Sequence, residues 1–223
     1  MYIIVIPYRA KNEQEFRRNQ LIDAIDNYRE YFLKHNIPIK IVVCEQNNLV
    51  LFNRGLLLNA GFIESERTFD FSKKYFHMNV DYRMNMHHDF PNEINEIKEG
   101  FVELFRVEVE QVIASACIFD SDSYKKCNGF PNDISGWGGD DWALLHRARQ
   151  ANVPIISNYR NKGVVYEEIV KFYNDGSFNE NNINLAINRD DTYTNGVNTS
   201  EYRIDGVGEF HNGTDLFHFL FSI

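Results

Sequence analysis

Tyr2-Ile3-Ile4-Val5-Ile6-Pro7 opens the chain as a continuous apolar run, and the fold follows from how that run is read. A strand that is apolar at every position is buried on both faces, the condition of a strand inside a helix-covered parallel sheet. Residues 12 to about 34 carry apolar side chains at helical spacing (Phe16, Leu21, Ile25, Tyr28, Phe32). Residues 37–44 form a second apolar run, residues 53 to about 67 a second helical stretch, and residues 75–80 a third strand ending in Asp81. This β-α-β-α-β rhythm predicts an α/β fold with a parallel sheet and ligands at the carboxyl ends of its strands. Pro7-Tyr8-Arg9, Glu45-Gln46 and Asn79-Val80-Asp81 fall at such ends.

The second half is less regular. Residues 107–119 read as a strand, 121–126 as a short helix, 140–152 as a helix and 154–157 as another strand. Beyond Gly163 the pattern predicts a helix over 164–173, a polar Asn-rich loop, and hairpin strands through residues 202–207. The last twelve residues, with His211 and His218, carry no pattern that assigns them. There is no internal repeat, low-complexity linker or proline-rich break, so the 223 residues are expected to form one domain, 1–223.

Composition narrows the function. A hydrophobic content of 43% with 14% aromatics describes a globular chain. A net charge of -9 without a basic cluster argues against nucleic acid and against an anionic membrane surface as partners. Cys44, Cys117 and Cys127 are odd in number and lack metal-ligand spacing, so they are expected as buried free thiols in a reducing compartment. No apolar run approaches the ~18 residues of a membrane span, and the chain enters its first strand directly from Met1. A soluble, cytoplasmic protein without signal peptide or anchor is expected.

The densest chemical signal is Gly136-Trp137-Gly138-Gly139-Asp140-Asp141, which follows Asn128-Gly129-Phe130-Pro131-Asn132. Three glycines allow a sharply turning backbone that approaches a ligand closely. Trp137 offers an apolar platform of the kind that stacks on sugar faces. Asp140 and Asp141 stand where an apolar helix begins, and a helix N-terminus favours ionised carboxylates suited to accept a proton. A Gly-Gly-Asp alone would be an ordinary helix cap; with the tryptophan and the paired acids it reads as an active site.

NGFPN followed by GWGGDD resembles the signature of the β-1,4-galactosyltransferase family (glycosyltransferase family 7), NGFPN…WGWGGEDDD. Further landmarks occur in the family's order. Ile4-Val5-Ile6-Pro7-Tyr8-Arg9 resembles its N-terminal strand ending in Pro-Phe-Arg, and Phe52-Asn53-Arg54 through Phe62 resembles FNRAKLLNVGF. Asn79-Val80-Asp81 stands where the family has Asp-Val-Asp, and Asn195-Gly196-Val197-Asn198-Thr199 is similar to its Asp-Gly-Leu-Asn-Ser. The resemblance runs from about residue 3 to about residue 207. It implies a GT-A fold, a mixed and mostly parallel sheet flanked by helices, and inverting transfer of a sugar from a UDP-sugar to a glycan or glycoconjugate hydroxyl.

The resemblance also implies roles for particular positions. Pro7, Tyr8, Arg9, Phe52, Arg54, Asn79 and Val80 line the nucleotide pocket, and Arg9 and Arg54 suit phosphate recognition. Asp141 matches the catalytic base, while Trp137, Gly138, Gly139 and Asp140 contact the acceptor; Asp140 stands where the family has Glu. Asp81 matches the metal-binding Asp for Mn²⁺ or Mg²⁺. Asn158 and Ile155 align with the family's metal-binding His and Met, and an amide oxygen is a weak ligand for such a hard ion. Counting back from Asn128 puts Val112 at a family Tyr that excludes an N-acetyl group, so UDP-GalNAc or UDP-GlcNAc stands beside UDP-Gal as donor. Asn79 and Asn158 keep open a second reading: a degenerate member that binds UDP-sugar or glycan without turnover.

Overall fold

The computed structural model describes residues 1–9, 14–70, 74–105, 113, 116–136, 138–168, 180–187 and 194–223. In chain order, strand β1 (Tyr2–Tyr8) is followed by α1 (Gln14–Lys34), β2 (Ile39–Gln46), α2 (Arg54–Thr68), β3 (Lys74–His77), β4 (Tyr82–Met84) and β5 (Phe101–Glu103). Then come β6 (Cys117–Asp120), α3 (Ser121–Lys126), α4 (Asp140–Gln150), β7 (Ile155–Ile156), β8 (Val165–Glu167), α5 (Glu180–Ile187), β9 (Arg203–Val207) and β10 (Leu216–Ser222). The main sheet has the order β7-β5-β6-β3-β1-β2-β10-β9, and β4 pairs with β8 in a separate two-stranded ribbon. Its centre, β3-β1-β2-β10, is parallel; β6 runs antiparallel to β3 and β5, and β9 antiparallel to β10. The expected mixed, mostly parallel α/β sheet is the one observed.

The first strand shows why. Tyr2, Ile4, Ile6 and Tyr8 enter one hydrophobic core, while Ile3 and Val5 enter the other on the opposite face. On the first face α1 lays down Leu21, Ala24, Ile25, Tyr28, Tyr31 and Phe32, a stripe at helical spacing. On the second, α2 supplies Leu57, Leu58, Ala60 and Phe62. Gly61 seats that helix: a Cβ there would lie 2.5 Å from Cys44 Sγ and 2.6 Å from Val5 Cγ1. All three cysteines are buried and unpaired, and burial pushes the Cys127 thiol up to about 12, so none is a ready nucleophile.

Three expectations change. The helix expected over 164–173 is not formed at its start: Val165–Glu167 is β8, antiparallel to Tyr82–Met84, and 169–173 lie outside the described residues. The backbone needs of β4 are met by a distant segment, and that pairing overrides local periodicity. The Asn-rich stretch expected as loop contains α5, packed on α4. The unassigned C-terminal residues form β10, parallel to β2, so the sheet's fourth parallel strand comes from the end of the chain. Of the strand expected over 107–119, residues Cys117–Asp120 belong to β6; 106–112, 114 and 115 lie outside the described residues.

Candidate active site

Asn59, in the middle of α2 and fully buried, organises the site's floor. Its amide nitrogen donates to the Phe130 carbonyl (2.8 Å) and to Asn132 Oδ1 (2.9 Å). Its Oδ1 accepts from the Tyr124 hydroxyl (2.8 Å) and the Phe130 amide (3.1 Å). Every hydrogen-bonding position of the side chain is used, so a buried amide here is satisfied and rigid. Gly129 must be glycine: its φ is +58°, and a Cβ would sit 2.5 Å from Asn59 Oδ1. The two Asn-rich motifs then dock on one another. Asn128 Nδ2 donates to Asn198 Oδ1 (2.7 Å), the Asn198 amide returns a bond to Asn128 Oδ1 (3.0 Å), and the Asn132 amide donates to Asn195 Oδ1 (2.8 Å).

The glycine loop is tied to the start of α2 by the Gly136 amide, which donates to the Phe52 carbonyl at 2.8 Å. Gly136, Gly138 and Gly139 have φ of +81°, +100° and +93°, a region that side chains rarely adopt. Gly139 caps α4 and lies under α5, where a Cβ would come 2.5 Å from the Asn182 carbonyl oxygen. The loop thereby presents Asp140 and Asp141 on the first turn of α4, where the helix dipole favours negative charge.

Opposite them stands Arg54, the first residue of α2. Its Nη1 contacts both carboxylates, Asp140 Oδ2 at short range and Asp141 Oδ1 at 2.9 Å, and its Nε donates to Asn79 Oδ1 at 3.1 Å. The guanidinium also lies 5.5 Å from the centre of the Phe130 ring. Burial alone would pull its pKa down, but Asp141 and Asp140 outweigh that and hold it far above its ordinary value. Two carboxylates here face one guanidinium.

A second corner forms where β1 and β3 end. Asp81 Oδ1 accepts from Arg17 Nη1 (3.0 Å) and Gln20 Nε2 (3.1 Å), and Arg17 Nη1 also reaches Gln20 Oε1 (2.8 Å). Glu167 of β8 lies near enough that burial, followed by the charge of Asp81, raises its pKa. Asn158, the expected partner of Asp81, is exposed in the turn after β7. Its neighbours Ser157 and Arg160 instead bind the buried Glu103 carboxylate, each at 2.5 Å. Among the described residues no three His, Cys, Asp or Glu side chains gather as a metal would need. His87 and His88 are exposed, and His211 packs against Phe217 and Phe219 while accepting from the His218 amide. Among the described residues, the expected donor set of Asp81 and Asn158 does not by itself fill a six-coordinate Mn²⁺ or Mg²⁺ shell.

The remaining expected positions distribute as follows. Pro7 and Tyr8 are buried at the end of β1, and burial pushes the Tyr8 phenol up to about 12. Arg9 donates to the Val50 carbonyl at 2.7 Å, and Phe52 is half-buried against the second core. Val80 is buried; Asn79 bridges Arg54 and, through its carbonyl, the Tyr28 hydroxyl (3.1 Å). Trp137 and Val112 lie outside the described residues. Trp142, next to the acid pair in sequence, packs with Ile134, Ala143 and Ala186.

Sequence reasoning passed over three residues. Arg17 and Gln20, three apart on one helix face, read as a solvated surface. His77 closes β3 with 1% exposure, ringed by Phe119, Tyr124 and Phe130. Neither of its ring nitrogens has a hydrogen-bond partner. Burial, then the charge of Arg54, drives its pKa well below the ordinary histidine value.

The architecture matches solved structures. The catalytic domain of Drosophila β-1,4-galactosyltransferase 7, in complex with xylobiose, superposes with a TM-score of 0.75 at 17% identity, covering 100% of this chain and 94% of that one. A mutant of the same enzyme in complex with manganese, UDP-Gal and xylobiose gives 0.71. The class is therefore a GT-A glycosyltransferase fold. In sequence, residues 103–168 match the family described as the N-terminal domain of galactosyltransferase. β-1,4-Galactosyltransferase 3 of Rattus norvegicus is 26% identical over 211 residues, 90% of this chain and 51% of that protein. A β-N-acetyl-D-glucosaminide β-1,4-N-acetylglucosaminyl-transferase of Lymnaea stagnalis is 26% identical over 166 residues, 69% of this chain and 31% of that protein. In fold and in sequence the chain is similar to β-1,4-galactosyltransferases. It spans about half the length of the first of these relatives and less of the second. Among the described residues no helix is long and apolar enough to cross a membrane.

Proposed function

We propose that this chain, acting as one domain over residues 1–223, is an inverting glycosyltransferase. It moves galactose or an N-acetylhexosamine from a UDP-sugar to a hydroxyl of a glycan or glycoconjugate. The observation that carries this reading is the Asp140–Asp141 pair, held on the first turn of α4 by a positive-φ glycine loop and faced by Arg54 at the carboxyl edge of the sheet. Asp141 takes the acceptor's proton as its oxygen attacks the anomeric carbon; Asp140 and Trp137 hold the acceptor. Attack opposite the leaving UDP converts an α-linked donor to a β-linked product in one displacement. Pro7, Tyr8, Arg9, Phe52, Asn79 and Val80 form the nucleotide side, and Arg54 orients the acid pair as well as facing the donor.

Both donor classes have support in the relatives, one named for galactosyl and one for N-acetylglucosaminyl transfer. Val112 favours a pocket open to an N-acetyl group on sequence grounds alone. The Drosophila relative was solved with manganese, which supports a divalent ion near Asp81 and Asn158; the donor set described above fits that ion poorly. The acidic charge and unpaired cysteines favour a soluble protein of a reducing, cytoplasmic compartment with no nucleic-acid partner.

One specific observation favours the second reading, a binding protein without turnover: Asn79 stands where the family has a carboxylate, and Arg54 engages it. The experiment is a panel of UDP-Gal, UDP-GalNAc, UDP-GlcNAc and UDP-Glc with glycan acceptors, following UDP release by wild type and Asp141→Asn. Release that disappears in the variant supports the transferase and names its donor. UDP binding without release on any donor or acceptor supports the binding protein.

A further inference from the structure

Arg17 and Asp81 occupy the place where the family resemblance puts a divalent ion, and their geometry suits a different solution. We propose that, within the transfer just described and resting on it, this chain carries the leaving diphosphate without a divalent cation, Arg17 of α1 and Arg9 at the end of β1 supplying the positive charge.

Four observations converge. Asp81 Oδ1 already accepts two hydrogen bonds, from Arg17 and Gln20, so the carboxylate acts as an anchor for a guanidinium. Both contacts of Arg17 use Nη1, and its Nε and Nη2 bond no described residue, leaving a fixed fork with donors to spare on a side chain about one-third exposed (32%). Arg9 spends one donor on the neutral Val50 carbonyl and has no carboxylate partner among the described residues, so its charge is uncompensated there. Arg54, the other expected phosphate ligand, is committed to Asp140 and Asp141. Arg9 directly follows the last residue of β1, and Arg17 lies close enough to that end for its charge to act on Tyr8. A guanidinium presents planar paired donors matched to phosphate oxygens, and preorganised cations stabilise charge as it develops on a leaving group.

The step then balances without a co-reactant. The acceptor oxygen bonds to the anomeric carbon as the bond from that carbon to the β-phosphate oxygen breaks. The acceptor's proton passes to Asp141, and the diphosphate leaves with the bonding pair, its added charge met by Arg17 and Arg9. Asp81 is a positioning residue for Arg17.

The test is UDP binding by calorimetry in EDTA and in Mn²⁺, for wild type, Arg17→Ala, Arg17→Lys and Asp81→Asn, with melting curves to verify folding. Wild-type affinity is expected to agree between the two media within about threefold, and Arg17→Ala to lose about 10–100-fold in EDTA, the worth of one hydrogen bond to a charged group. Arg17→Lys, which keeps the charge but not the fork, falls between. Asp81→Asn, which keeps a hydrogen-bonding anchor, loses less than Arg17→Ala. Binding that requires Mn²⁺, or is lost in Asp81→Asn and kept in Arg17→Ala, overturns the inference and leaves the transferase reading standing. Absence of UDP and UDP-sugar binding in both media overturns both.

Discussion

Two corners of the carboxyl edge each set arginine against aspartate, and they do so differently. At Arg54 one guanidinium serves two carboxylates with side-chain exposures of 12–25%, in a pocket walled by Phe130 and the Asn59 network. At Arg17 one guanidinium serves one carboxylate, each about one-third exposed, with an amide as the third member. The first arrangement holds three charged groups largely out of water, and removing one partner leaves the others poorly solvated. The second pairs one guanidinium with one carboxylate and is open to water. On the proposed function, the contrast separates a corner that holds a base from one that receives charge, and it can be broken by substitution.

The largest effect is expected at Arg54. Arg54→Ala leaves two poorly solvated carboxylates facing each other and should lower stability by about 3–5 kcal/mol in urea unfolding. Arg54→Lys should recover little, since one ammonium cannot reproduce contacts to Asp140, Asp141 and Asn79. Asn59→Ala comes next: it strands the Tyr124 hydroxyl and both backbone groups of Phe130, for a loss of about 2–3 kcal/mol by the same measurement. A retained melting curve in Asn59→Ala would show that the two Asn-rich motifs dock without it.

A pH titration sharpens the comparison from behind. His77 has a folded pKa well below its ordinary 6.5, so between those values the unfolded chain binds a proton that the folded one refuses. The stability that His77 permits is complete above about pH 6.5 and falls as the pH drops below it, by about 1.4 kcal/mol per unit for one proton. His77→Phe should remove that share of the slope. The smallest effect belongs to the open corner: Arg17→Ala should change unfolding free energy by less than about 1 kcal/mol, as half-exposed ion pairs do. A loss as large as that of Arg54→Ala would erase the distinction between the corners.

Much of this was legible in the sequence where burial writes a pattern. β1 reads as a strand because both of its faces are covered, and α1, α2 and α4 show helical spacing or a marked start at Asp140. The Gly136–Asp141 loop is legible because positive φ demands glycine. Strands of two or three residues carry too little pattern, so β5 and β7 are set by their neighbours, and β8 takes its form from pairing with β4. β10 depends on β2, far away in the chain. Residue roles were harder. Asn59 was visible within a motif, but its four bonds depend on turns brought from Tyr124–Asn132. Arg17 and Gln20 sit in a polar helix stretch, where nothing local distinguishes an anchored guanidinium from a solvated one. Arg54 was expected on phosphate; its engagement with Asp140 and Asp141 requires two helix starts to meet.

In the proposed transferase Asp141 does the chemistry and does not hold the nucleotide. Turnover and UDP affinity measured together in wild type and Asp141→Asn separate these two roles. Turnover should fall by about 10²–10⁴-fold, the usual contribution of a general base, while UDP affinity changes by less than about threefold. Undiminished turnover in Asp141→Asn, or a loss confined to UDP affinity, would contradict that assignment.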